Sequence, residues 1–155
     1  MAETPDLVDF KQGLTFLRDG HPAQALECFR HAAELEQTNP IYLSFLGLSV
    51  ARAQKKWTPA LDFCETAVRM KRDEAQLYLN LAEVYVSAGR REKAVQMLDA
   101  AMRNIGHDAR IKRIRDKFGW RHSLVLPFLD RQHFLNRGLG KWRHRAVAYL
   151  RRSED

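Results

Sequence analysis

The 155-residue chain contains little cysteine, proline or glycine, with two, five and eight residues respectively. Two cysteines, Cys28 and Cys64, are too few for a disulfide scaffold and are typical of a reducing compartment, so we expect a cytoplasmic protein. The low glycine and proline content excludes a collagen-like chain, and an apolar fraction of 45% excludes a mostly disordered one. No apolar run reaches the roughly 18 residues that a membrane-spanning helix needs.

Charge is divided unevenly along the chain. Residues 1–106 carry a net charge of −1 and residues 107–155 carry +8, so the net +7 belongs to the last third. A basic segment joined to a neutral body is typical of proteins that meet phosphate, acidic protein or anionic lipid. A solvated tail that confers solubility has the same composition. Charge alone leaves both interpretations open.

Motifs that carry catalysis are also missing. The chain has no glycine-rich phosphate loop, no HExxH motif and no CxxC pair. His122, His133 and His144 recur every eleven residues, but Pro127 and Gly138 interrupt any common helix, so we expect no metal site. The sequence therefore predicts neither an enzyme nor a cofactor-binding protein.

An internal repeat is present in the first two-thirds of the chain. Small residues recur 34 and 35 residues apart at three sets of positions: Gly13, Gly47 and Ala82; Ala25, Ala60 and Ala94; Ala32, Ala67 and Ala101. The bulkier Phe29, Cys64 and Leu98 keep the same step. A repeated alternation of small and large residues is what two closely crossing helices need.

Apolar spacing and helix breakers predict two helices in each unit. Leu7, Phe10, Leu14 and Leu17 follow the helical period, and glycine, proline and asparagine separate the periodic segments. The predicted helices lie at about 5–17, 22–36, 41–54, 73–88 and 91–104, and one more follows a turn near 55–59 and runs to about 71. Sustained alternation with a period of two is not found, so we expect an all-α fold without a sheet.

This pattern resembles the tetratricopeptide repeat (TPR) family, whose period is about 34 residues of helix–turn–helix. The resemblance covers three repeats, at about 5–40, 41–72 and 73–106. It implies a solenoid of helical hairpins wound as a right-handed superhelix. The chain departs from the family at two points. The usual tryptophan of the first helix is replaced by Asp9, Leu43 and Tyr78, and the second turn carries an extra residue.

The remaining residues extend beyond the repeats. Ile111, Ile114 and Phe118 form one apolar stripe among charged residues, so we expect a capping helix at 108–118 that completes a domain over residues 1–118. Residues 119–155 form a basic C-terminal extension that we expect to be partly helical. Its segment 124–129 is apolar, which favours packing on the repeats.

The resemblance also implies a binding surface. Members of the family bind extended peptides or single helices on a concave wall lined by their first helices. The corresponding positions here are Leu7, Phe10, Leu14, Leu17, Arg18, Ile41, Ser44, Phe45, Leu48, Arg52, Gln76, Leu79, Asn80, Glu83 and Val86. The family's best-known clamp holds a terminal carboxylate with lysine and asparagine, but Phe10, Leu14 and Phe45 stand where it needs polar groups. An apolar groove is the expectation.

Three functions remain open at this point. The first, which we favour, is a non-enzymatic interaction module that binds an apolar peptide or helix, by analogy with three-repeat bacterial secretion chaperones. The second is a scaffold whose own tail fills the groove. The third is binding of nucleic acid or an anionic membrane through residues 110–152, with Arg143, Arg145, Arg151 and Arg152 as the basic surface.

Overall fold

A computed structural model describes residues 3–119, which form seven α-helices and no β-strand. The helices are α1 (Pro5–Arg18), α2 (Pro22–Leu35), α3 (Pro40–Gln54), α4 (Trp57–Met70), α5 (Ala75–Ser87), α6 (Arg91–Ile105) and α7 (Ala109–Gly119). The first six pair as the hairpins α1–α2, α3–α4 and α5–α6, and successive hairpins pack on one another through α2–α3 and α4–α5. The predicted all-α solenoid of helical hairpins is confirmed.

The small residues of the repeat lie where the two helices of a hairpin cross. A Cβ atom added at Gly13 would come within 2.7 Å of the Phe29 ring in α2. One added at Gly47 would come within 2.7 Å of the Cys64 sulfur and 2.8 Å of the Ala60 carbonyl oxygen in α4. A side chain at position 13 would collide with the Phe29 ring, and at position 47 the backbone of α4 itself is too close, which explains why small residues recur there.

The turns inside the hairpins show where the extra residue of the second repeat is accommodated. The turns of the first and third hairpins span residues 19–21 and 88–90, with Gly20 and Gly89 at positive φ (83° and 75°). The second turn has only Lys55 and Lys56, and Lys55 takes the left-handed conformation at φ 54°. The sequence prediction of a longer second turn is wrong: counted from the small residue at the crossing, α3 extends two residues further than α1 and α5, and the turn is one residue shorter.

Helix starts follow local sequence signals. α1, α2 and α3 each have a proline in the first turn, where the missing N–H leaves no hydrogen bond unmade. The Asn39 side chain accepts hydrogen bonds from the backbone N–H of Ile41 and Tyr42, and caps α3. At the start of α7, the Asp108 carboxylate accepts from the N–H groups of Arg110 and Ile111 at 2.8 and 3.3 Å.

One core runs through the hairpins and includes α7. Phe29, Leu81 and Leu98 have exposed fractions of 0–1%, and Ile111 of α7 is equally buried among them. Each such side chain contributes about 1.5–3 kcal/mol relative to an exposed one. Arg91 donates from Nε to the Phe118 carbonyl oxygen (2.6 Å), which satisfies an orphan carbonyl near the end of α7. A helix thus forms where the sequence predicts a capping helix at 108–118.

Candidate functional site

The first helices of the three hairpins lie next to one another. α3 contacts α1 through the rings of Tyr42 and Phe45, whose centroids lie 4.8 and 5.3 Å from that of Phe10. α3 contacts α5 through Ser44, which accepts a hydrogen bond of 3.0 Å from the Asn80 amide. The predicted groove residues therefore come together along one set of neighbouring helices.

The part of this surface between α1 and α3 is apolar, and we call it the apolar half. Phe10 lies at its centre, within 5.5 Å of the rings of Phe29, Tyr42 and Phe45. Offset and edge-on ring pairs at such separations add about 0.5–1.5 kcal/mol beyond area burial. Its members are only partly buried, and Leu14 is 37% exposed. The apolar half consists of Leu7, Phe10, Leu14, Leu17, Ile41 and Phe45.

The part between α3 and α5 is held by polar contacts, and we call it the polar half. It consists of Ser44, Arg52, Gln76, Asn80 and Glu83. Gln76 donates to the Asn80 amide oxygen at 2.9 Å, and Asn80 in turn donates to the Ser44 hydroxyl. Arg52 donates from Nε to Glu83 Oε1 at 2.7 Å, and its Nη2 contacts the same oxygen. Two repeats are thus joined by side-chain hydrogen bonds and an ion pair.

Three of the predicted groove residues are not on an open surface. Ser44, Leu48 and Asn80 have exposed fractions of 0%, 4% and 3%. Leu48 belongs to the core, while Ser44 and Asn80 satisfy each other's polar atoms between α3 and α5. For these three positions the structure corrects the expectation of a groove lining. Ser44 and Leu48 are in α3, which has a hairpin on each side, and Asn80 faces Ser44 from α5.

The other predicted positions are at least partly accessible. Leu79 and Val86 are half-buried and pack against the core, and Arg18 is exposed, with its Nε bonded to Asp19 at 3.1 Å. The predicted basic surface at Arg143, Arg145, Arg151 and Arg152 lies outside the described residues, as do the rest of the extension 120–155 and its apolar segment 124–129.

Tyr42 is a contact residue that the sequence pattern did not single out. It is 5% exposed, and its hydroxyl donates to the Asp6 carboxylate of α1 at 2.9 Å. Burial and the nearby Asp6 raise the pKa of Tyr42 to about 12. No spacing rule relates residues 36 positions apart, so only the prediction that α1 and α3 are neighbours could have suggested the pair.

The cysteines and other metal-binding residue types form no reactive site within residues 3–119. Burial raises the pKa of the Cys64 thiol to about 12, and burial also raises the pKa of Cys28. Both thiols are therefore protonated at neutral pH and poor nucleophiles. In the same range, no three His, Cys, Asp or Glu side chains are grouped so as to hold a metal ion. None of the helices in this range is long and apolar enough to cross a bilayer.

A cleft of about 510 Å³ lies at a different place, among α2, α3 and α4. Its apolar floor includes Leu43, Leu46, Val50 and Phe63, and charged residues such as Glu34 and Lys56 also line it. It shares no lining residue with the predicted groove. The sequence reasoning missed it because a cleft formed jointly by two second helices and one first helix has no periodic signal of its own.

Comparison with known proteins agrees with this architecture. Residues 51–117 match the family described as "Tetratricopeptide repeat". A comparison with curated proteins gives no match. Similar solved structures include the first TPR of Spaghetti (RPAP3) bound to the HSP90 peptide SRMEEVD, at 18% identity and a TM-score of 0.61, covering 74% of this chain and 92% of that chain.

Two further structures have comparable similarity. The Sgt2 TPR domain from Aspergillus fumigatus is 17% identical with a TM-score of 0.63, covering 76% of this chain and 79% of that chain. The Yersinia enterocolitica type III secretion chaperone SycD, in complex with a peptide of the translocator YopD, is 15% identical with a TM-score of 0.60, covering 75% and 88%. At these identities the likeness establishes the fold. Together with the family match over residues 51–117 and the stacked hairpins, it identifies the architecture as that of tetratricopeptide repeats.

Proposed function

We propose that the chain is a non-enzymatic protein-interaction module, an adaptor, scaffold or chaperone-like protein, that binds an apolar peptide or helix on the surface of α1, α3 and α5. The binding surface is the apolar half, continued by the accessible groove residues Arg18, Arg52, Gln76, Leu79, Glu83 and Val86. Ser44, Leu48 and Asn80 are left out because they are buried.

The observation that carries this proposal is the incomplete burial of the apolar half. Leu14 is 37% exposed, and its neighbours on the same helical stripe, Leu7, Phe10 and Leu17, are only half-buried. Val8 is a more exposed residue of the same helix, at 46%, but it lies on another side of α1. A single exposed apolar residue is ordinary, whereas a contiguous apolar patch is typical of a binding site.

The neighbours of similar fold support peptide binding as the activity. One is bound to an HSP90 peptide and another to a peptide of a translocator. The chemistry of the apolar half favours an apolar partner over an acidic one, because Phe10, Leu14 and Phe45 offer no donor to a carboxylate. An amphipathic helix or an extended apolar segment fits such a surface.

A peptide-display selection against the full chain tests the proposal. The peptides recovered should be rich in large apolar residues, and Leu14→Glu should weaken their binding at least about tenfold, because it places an unpaired charge beneath the bound apolar side chains. Val8→Glu is the matched control, since it puts the same charge on an exposed apolar position of the same helix. Equal losses in both variants, or none in either, would refute binding at the apolar half.

A further inference from the structure

The ion pair between Arg52 and Glu83 occupies an arginine that would otherwise be available to a ligand. Arg52 lies near the end of α3, and its Nε and Nη2 both donate to Glu83 Oε1 of α5. The two side chains are 38% and 40% exposed, so both are accessible to a bound partner. These two nitrogens form an edge of the guanidinium that can bind a carboxylate with two parallel hydrogen bonds.

Two other cations of α1 lie near this surface and are also paired: Lys11 contacts Glu3, and Arg18 stands at the repeat position of Arg52, 34 residues earlier. Arg18 lies at the end of α1, where the Asp19 carboxylate is bonded to it. An acidic partner would therefore have to displace Glu83 from Arg52 and would meet the negative charge of Glu83 while doing so.

We infer that Glu83 is a specificity-determining residue that excludes carboxylates from the Arg52 end of the binding surface by holding Arg52 in an internal ion pair. This inference rests on the proposed function and adds the class of partner: an apolar segment without an acidic group at the position of Arg52. Removing Glu83 should convert the surface into one that accepts acidic peptides.

The test uses the heptapeptide SRMEEVD as the acidic probe and the full-length chain as the receptor. Binding is followed by NMR through the Arg52 Nε–H resonance, which reports contact with that group even when affinity is low. Glu83→Ala should bind SRMEEVD at least about tenfold more tightly than the wild type, and the gain should fall as salt is raised. The double variant Glu83→Ala/Arg52→Ala should lose the gain, as judged from the backbone amide resonances.

A matched control removes a similar ion pair at another place. Glu27→Ala breaks the exposed pair with Arg30 on α2, which is outside the binding surface, and should leave SRMEEVD binding unchanged. The inference is overturned if Glu83→Ala binds SRMEEVD no better than the wild type, or if the gain persists without Arg52. Should Leu14-dependent binding of apolar peptides continue while that gain is absent, only the role of Glu83 is refuted and the proposed function stands.

Discussion

The apolar half and the polar half are built from the same repeat but hold neighbouring hairpins by different means. Phe10 and Ser44 occupy the same repeat position, 34 residues apart. Phe10 packs its ring against α3, whereas Ser44 accepts a hydrogen bond from Asn80 of α5. Likewise Leu14, Leu48 and Glu83 share one position, yet Leu14 is partly exposed, Leu48 is buried and Glu83 forms an ion pair.

The repeat therefore contains two kinds of position, those where helices cross within a hairpin and those that join one hairpin to the next. The positions where helices cross keep their residue type, because a side chain at Gly13 or Gly47 would collide with the facing helix. The positions that join one hairpin to the next are free to vary, since either ring packing or hydrogen bonds can close the gap. Where aromatic rings join two hairpins, apolar side chains next to the contact stay accessible. We therefore assign partner binding to the apolar half.

Removing the ring at the centre of the apolar half should have the largest effect on stability. Phe10→Ala should lower the free energy of unfolding by about 2–3 kcal/mol, below the full cost of a buried phenylalanine because Phe10 is only half-buried. Urea unfolding measures it. Phe10→Leu, which keeps most of the apolar volume, should cost less than half as much. Equal costs for both variants would mean that the ring contacts do not hold α1 to α3.

The hydrogen bonds of the polar half depend on Asn80, so removing its amide should destabilise the contact between α3 and α5. Asn80→Ala should cost about 1–3 kcal/mol, because it leaves the buried Ser44 hydroxyl without its donor. The double variant Ser44→Ala/Asn80→Ala removes both polar partners and measures the coupling between them. Its cost should be smaller than the sum of the two single variants, by about 0.5–3 kcal/mol. Strict additivity in the urea melts would show that the hydrogen bond does not couple α3 to α5.

The hydrogen bond between Tyr42 and Asp6 should have the smallest effect at neutral pH. Tyr42→Phe keeps the buried ring and should cost no more than about 1 kcal/mol. The folded-state pKa of Tyr42, about 12, is above the ordinary value of 10.0, so the protonated hydroxyl stabilises the fold fully below pH 10. That contribution is lost as pH rises through 12. Unfolding measured from pH 8 to pH 12 should therefore show a steeper loss of stability for the wild type than for Tyr42→Phe.

A wild type and variant that lose stability in parallel above pH 10 would contradict the raised pKa. Tyr85, whose pKa burial and the nearby Glu65 also raise to about 12, is present in both proteins and serves as an internal reference. Its contribution cancels in the comparison.

The sequence predicted the hairpins well because periodicity reports on local packing. The crossing residues, the six repeat helices and the seventh helix all follow from spacing and from glycine and proline positions. The second turn was predicted wrongly because the sequence shows only that one residue is extra. Whether α3 or the turn takes it depends on Lys55 adopting φ 54°, an unfavourable conformation for a residue with a side chain.

The surface residues were harder to predict than the hairpins. Ser44, Leu48 and Asn80 sit at the same repeat positions as the more accessible Phe10, Leu14 and Phe45, but the neighbouring hairpin covers them. Whether such a residue is buried depends on the hairpin that packs next to it, which the sequence of a single repeat does not show. The pairs formed by Asp6 with Tyr42 and by Arg52 with Glu83 join residues 36 and 31 positions apart, where no sequence rule specifies a partner.

The central claim is that a partner binds at the apolar half, and mapping the bound peptide on the full chain by methyl NMR tests it most directly. On addition of a display-selected apolar peptide, the methyl groups of Leu7, Leu14 and Leu17 should show the largest chemical-shift changes. Those of Leu43, Leu46 and Val50, which line the cleft among α2, α3 and α4, should change little. The reverse pattern, with the largest changes in the cleft, would contradict the assignment.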